Sequence, residues 1–94
     1  MVIRLTQFKV SANDTDELKE IYSREVVPEV KKQQGNINAM LLEPLDGSGE
    51  FVSLTTWENK ADAEGYESSG KYRELVAKLN GIFDGKPVLK SYNT

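Results

Sequence analysis

Polar and apolar residues alternate from Val2 to Val10, putting Val2, Arg4, Thr6, Phe8 and Val10 on one face and Ile3, Leu5, Gln7 and Lys9 on the other. A period of two is that of a β-strand. Both faces carry apolar residues, so both are expected to be covered, whereas a single layer of helices covers only one face of a sheet. The period then changes. Leu18, Ile21, Tyr22, Val26 and Val30 recur at steps of three and four, which is one helical stripe. Residues 11–15 offer several N-caps, and Asp14, Asp16 and Glu17 lie where the helix dipole is positive. The helix is expected to run to about Gln34, with Lys31 and Lys32 in its last turn and Gly35 at the C′ position. Pro28 interrupts the pattern. It lacks an N–H and clashes with the preceding turn at a cost of about 3 kcal/mol, so a kink is expected there.

Strand-like segments return at residues 37–42 and 50–57, joined by the turn-rich stretch Pro44-Leu45-Asp46-Gly47-Ser48-Gly49. Phe51, Ser53, Thr55 and Trp57 share one face of the second of these. Asn59 then caps a short helix, with Asp62 three residues on. Ser68-Ser69-Gly70 divides this helix from another whose stripe is Tyr72, Leu75, Val76, Leu79, Ile82 and Phe83, ended by Gly85 and Pro87. Residues 88–92 form the last strand. The order strand, helix, strand, strand, split helix, strand predicts a ferredoxin-like βαββαβ fold of the α+β class, a four-stranded antiparallel sheet with helices on one face, in one domain over residues 1–94. Nothing in the chain covers the face that bears Ile3 and Leu5. Large exposed apolar patches are rare on monomers, so a second copy in a two-fold contact is the expected cover.

Composition sharpens this picture. The chain has no Cys and no His, which removes disulfides and the commonest transition-metal ligand, and leaves self-association as the way to reinforce a small core. Twelve basic and 15 acidic residues give a formal charge of −3, scattered along the chain. The pI of about 4.9 argues against a nucleic-acid partner. No apolar run approaches the roughly 18 residues of a membrane span, and the N-terminus has no signal-peptide pattern, so cytoplasm is the expected location. No Gly-rich phosphate loop or dinucleotide fingerprint occurs, so neither nicotinamide nor a tightly bound flavin is expected.

Four segments carry a resemblance: Phe8-Lys9-Val10 closing the first strand, Val27-Pro28-Glu29-Val30 leading to Gln34-Gly35-Asn36, Phe51 to Lys60 around Trp57, and Ser69 to Leu75. Together they resemble the antibiotic biosynthesis monooxygenase family of dimeric α/β barrels over nearly the whole chain. The resemblance implies a homodimer, and one of several chemistries: oxidation of phenols by O₂ with no metal or flavin, haem degradation, isomerisation, or binding alone. In the haem branch it implies an Asn on the first strand, a Trp on the middle helix and a His ligand on the next. Aligned on Trp57, these fall at Thr6 or Gln7, at Tyr66 and at Val76. All three differ, and Val76 cannot ligate iron, so haem degradation is not expected.

A cofactor-independent monooxygenase must bind a flat apolar ring, stabilise its anion and exclude water. On this reading Arg4 supplies the positive charge and Tyr66 is the second catalytic candidate, while Thr6, Phe8, Trp57 and Tyr72 bind the substrate, a phenolic, quinol-like or polycyclic aromatic molecule. Each has a competing structural role. Trp57, Tyr66 and Tyr72 can simply pack, and Arg4 can be half of an ion pair. The rival functions are a non-catalytic dimer that binds a small hydrophobic metabolite and an isomerase. The monooxygenase and the binder share a pocket and differ only in reactive groups.

Overall fold

A computed structural model describes residues 1–94 and gives the ferredoxin-like α+β arrangement. Strand β1 (Val2–Val10) leads through a one-turn 3₁₀ helix (Ala12–Asp14) into α1 (Thr15–Ile21), a π-helical stretch (Tyr22–Val26) and α2 (Val27–Lys31). Strands β2 (Asn36–Leu42) and β3 (Glu50–Trp57), helices α3 (Lys60–Ser68) and α4 (Lys71–Ala77), and strand β4 (Phe83–Asn93) follow. The sheet is antiparallel in the order β2-β3-β1-β4, which puts β1 and β3 at its centre.

The alternation along β1 is realised as read. Val2, Arg4, Thr6, Phe8 and Val10 are buried on the helix side, while Gln7 and Lys9 are exposed. On β3, Phe51, Thr55 and Trp57 are buried on that same side. Two apolar clusters fill the space. One contains Phe8, Val10, Leu18, Phe51, Leu79 and Ile82; the other is built around Trp57, Tyr22, Val26, Val30, Tyr66 and Leu75. Burying each large apolar side chain contributes about 1.5–3 kcal/mol, so these clusters are the main source of stability.

The disturbance expected at Pro28 takes the form of the π-helical stretch. The amide of Val27 donates to the Tyr22 carbonyl five residues back, and Pro28 then sits in the first turn of α2, where its missing N–H costs nothing. The wider turns also align the stripe. Leu18, Tyr22, Val26 and Val30 are spaced by four, which in a straight α-helix overshoots by about 40° at each step. All four are buried nonetheless. The helical run ends at Lys31, short of the expected Gln34, and Gly35, at φ +79, instead turns the chain into β2.

Two expectations for the C-terminal third are corrected. Helix α4 ends at Ala77, not at Phe83, because Gly81 at φ +87 turns the chain, and Phe83 opens β4 opposite Val10. The last strand therefore begins five residues earlier than residue 88. Pairing jumps from Gln7↔Val88 to Lys9↔Asp84, so Gly85, Lys86 and Pro87 bulge out opposite Phe8. An edge strand tolerates Pro at such a bulge, where no ladder hydrogen bond is needed.

The far face of the sheet bears Ile3 and Leu5 from β1, Val52 and Leu54 from β3, Met40 and Leu42 from β2, and Val88 and Tyr92 from β4. No helix covers it. Met40, Leu42, Val88 and Tyr92 are exposed.

Candidate active site

Between the sheet and the helices lies a largely apolar cavity of about 50 Å³, room for a few water molecules. Its floor is the helix-facing side of the central strands: Arg4, Thr6 and Phe8 of β1 beside Ser53 and Thr55 of β3. Tyr22, Val26 and Val30 form one wall, and Tyr66, Tyr72 and Leu75 the other. The rim lies where α4 and its following turn (Val76, Leu79) face the bulged β4 (Phe83, Pro87). Strand alternation explains the floor, since residues two apart must project the same way.

Arg4 is only 4% exposed, and its guanidinium offers donors and no acceptor. Its Nη1 donates to the Ala63 carbonyl at 3.1 Å, tying β1 to α3. Its Nη2 lies 3.4 Å from Glu67 Oε2, close enough for an ion pair but without hydrogen-bond geometry, so this buried donor has no partner. The group sits 5.8 Å from the Tyr66 ring centre and 5.3 Å from that of Tyr72. Aromatic faces stabilise a cation without satisfying its N–H groups. A buried charge of this kind costs several kcal/mol unless its donors are met.

Tyr66 stacks on Trp57 with ring centres 4.9 Å apart and meets Tyr72 edge-on at 6.0 Å. Burial pushes the Tyr66 phenol well above its ordinary pKa, and the Arg4 charge only partly opposes that. Trp57 is fully buried, with its indole N–H donating to Thr55 Oγ1 at 2.9 Å. It stands behind Tyr66 and does not line the cavity. Of the six residues singled out from the sequence, Arg4, Thr6, Phe8, Tyr66 and Tyr72 converge on the cavity, and Trp57 supports it from outside. Val76 is in the wall and Thr6 faces in, whereas Gln7 points to the opposite face.

Sequence reasoning missed a second polar group. The Tyr22 hydroxyl lies 2.6 Å from Ser53 Oγ and donates to the Met40 carbonyl at 3.2 Å. Burial raises the Tyr22 pKa, while the Ser53 hydrogen bond lowers it by less. The available signal was Ser53 and Thr55, two small hydroxyl residues on the face of β3 otherwise held by Phe51 and Trp57.

The same fold occurs in proteins of known structure. An antibiotic biosynthesis monooxygenase of Deinococcus radiodurans is 16% identical with a TM-score of 0.82, over 100% of this chain and 92% of that one. SnoaB, a cofactor-independent oxygenase from Streptomyces nogalater, is 14% identical with a TM-score of 0.80, over 99% and 91%. MhuD, a haem degrader from Mycobacterium tuberculosis solved with two haems in its active site, is 18% identical with a TM-score of 0.79, over 100% and 95%. At these identities the likeness is one of fold. No curated protein matches the sequence. The sequence profile described as antibiotic biosynthesis monooxygenase does match, over residues 1–78, from the first strand through the last helix that walls the cavity, and the chain belongs to that family.

Proposed function

We propose that this protein is a cofactor-independent monooxygenase acting on a small phenolic or quinol-like aromatic molecule. The observation that carries the reading is Arg4, a buried guanidinium that lines a cavity walled by aromatic rings. A phenol bound there is favoured as its anion, because an adjacent positive charge stabilises the ionised form. The electron-rich anion, not the protein, then reduces O₂. For a hydroquinone the balance is diol plus O₂ giving hydroxyquinone plus water: one oxygen atom enters the ring and the other leaves reduced. Tyr66 and Tyr22 stay protonated, so they serve as walls and hydrogen-bonding groups and not as bases. The present volume lies well below the roughly 300–1,000 Å³ of ligand sites, so a ring enters by moving the rim side chains Val76, Phe83 and Pro87.

Haem does not suit these residues. The walls offer no imidazole or thiolate, and Val76, which the resemblance sets at the ligand position, is in the wall. The bare apolar face of the sheet supports a homodimer. No helix is long and apolar enough to cross a membrane, and cytoplasm remains the proposed location. The absence of a dedicated base favours one rival, a dimer that binds its ligand without turning it over.

Oxygen uptake with a panel of hydroquinones and anthrones, without added flavin, metal or nicotinamide, tests the proposal beside a binding titration of the same compounds. Uptake with at least one class is expected. Binding without uptake replaces the enzyme by the binder, and neither binding nor uptake removes both.

A further inference from the structure

The cavity's polar groups fall at two stations of opposite hydrogen-bonding sense. Arg4 lies across from Thr55 in the β1–β3 register, and Thr6 lies across from Ser53, two residues further along the same face. Two residues of strand separate the stations by about 6.6 Å along β1. The first offers donors. Arg4 and Thr55 both line the cavity; a guanidinium can only donate, and Thr55 Oγ1 already accepts from Trp57, which leaves its own proton free to donate. The second offers acceptors. Where the Tyr22 proton is given to the Met40 carbonyl, which can only accept, Ser53 donates to Tyr22. In that arrangement neither hydroxyl has a proton left for a ligand, and Ser53 and Tyr22 present lone pairs to the cavity. Thr6, which makes no side-chain hydrogen bond, can serve in either sense.

From this we infer that Tyr22 and Ser53 are specificity-determining residues that require the ligand to present a protonated hydroxyl at the end of its ring opposite the oxygen held by Arg4. The inference rests on the Arg4 reading given above. It assigns the ligand a polarity: an ionised oxygen at one end and an O–H donor at the other, across a ring of the length of a 1,4-diol. The oxidised dione carries acceptors at both ends, so it loses its bond to the Tyr22–Ser53 pair and is held less tightly than the diol.

Three probes separate the possibilities under anaerobic conditions, with binding read by ligand-observed NMR. Hydroquinone has both hydroxyls, 4-methoxyphenol keeps the second oxygen but cannot donate, and phenol lacks it. Hydroquinone is expected to bind about tenfold more tightly than either of the others, the size of one well-made buried hydrogen bond. In Tyr22→Phe the Ser53 proton is released to donate, and the preference over 4-methoxyphenol falls to within about twofold. Ser53→Ala removes one acceptor but leaves the Tyr22 lone pair, so it is expected to narrow the preference less than Tyr22→Phe does, and thermal melts of both variants establish that they fold. Equal binding of the three probes by the parent overturns the inference, as does a preference that survives in both variants. Tight binding of phenol and hydroquinone alike with 4-methoxyphenol excluded also overturns it, since that pattern is steric. Failure of the parent to bind any of the three removes the Arg4 reading itself.

Discussion

The two halves of the core are built on different terms. Phe8, Val10, Leu18, Phe51, Leu79 and Ile82 pack into one apolar cluster, of which Phe8 and Leu79 reach the cavity. Around Trp57, Tyr22 and Tyr66 the packing encloses a buried guanidinium and a Tyr–Ser hydroxyl pair. All three buried polar or charged residues, Arg4, Thr6 and Thr55, line the cavity. The first half is organised as a stability-bearing core, where tight apolar packing is worth most. The second tolerates an unmatched donor, a cost that a purely structural core has no reason to bear.

The sharpest way to break the comparison is to cut into the apolar half. Phe51→Ala should cost about 3–5 kcal/mol by loss of transfer energy and creation of a cavity, measured by denaturant unfolding. Next comes the opposite side of the sheet. Leu5→Asp puts a charge at the middle of the bare face, beside Leu54, and should dissociate or unfold the protein if that face is buried in a dimer. Sedimentation at micromolar concentration checks it, and a parent that is already monomeric removes the dimer. Arg4→Met is the counter-test within the core. It should cost about 1–3 kcal/mol, less than Phe51→Ala, because Glu67 is half exposed and the main loss is the buried hydrogen bond to the Ala63 carbonyl. Phenol binding should nevertheless fall about tenfold or more with the charge-assisted contact. A loss of stability as large as that of Phe51→Ala would make Arg4 a strut and erase the distinction between the halves.

The smallest effect is a pH dependence. Burial raises the Tyr66 pKa above the ordinary value of about 10 that holds in the unfolded chain. The unfolded state therefore gives up this proton first as pH rises. Stability from Tyr66 is fully present below about pH 10 and declines from there up to the folded-state pKa. Unfolding free energies at pH 8, 10 and 11 should decline less in Tyr66→Phe than in the parent. Equal slopes would mean that the ring is more exposed to water than its place between Trp57 and Tyr72 implies.

How much of this was readable in advance follows from how local each signal is. The faces of β1 and β3 and the Asn59 cap, which accepts from the Asp62 amide, depend on neighbours within a few residues and were legible. Arg4, Thr6 and Phe8 came with the face. The start of β4 was not legible, because Phe83 continues the spacing of the preceding helix and only the turn at Gly81 decides against it. The Tyr22–Ser53 pair was hidden for another reason. Its members are 31 residues apart and meet only when the helical run lies across the sheet. Trp57 was expected to wall the site as one of several aromatic side chains, yet at the end of β3 it lies behind Tyr66.

The π-helical stretch at Tyr22–Val26 has a consequence for how this protein can change over evolutionary time. Substitutions within it are constrained only by size and polarity, but its length is fixed. Deleting one residue there would restore ordinary α-helical pairing and rotate everything upstream by about 100°, swinging Leu18 out of the apolar core while Val30 stayed in place. Insertions and deletions should therefore be depleted in this segment relative to the turn around Asp46 and Gly47, where the chain is exposed and nothing downstream depends on the count.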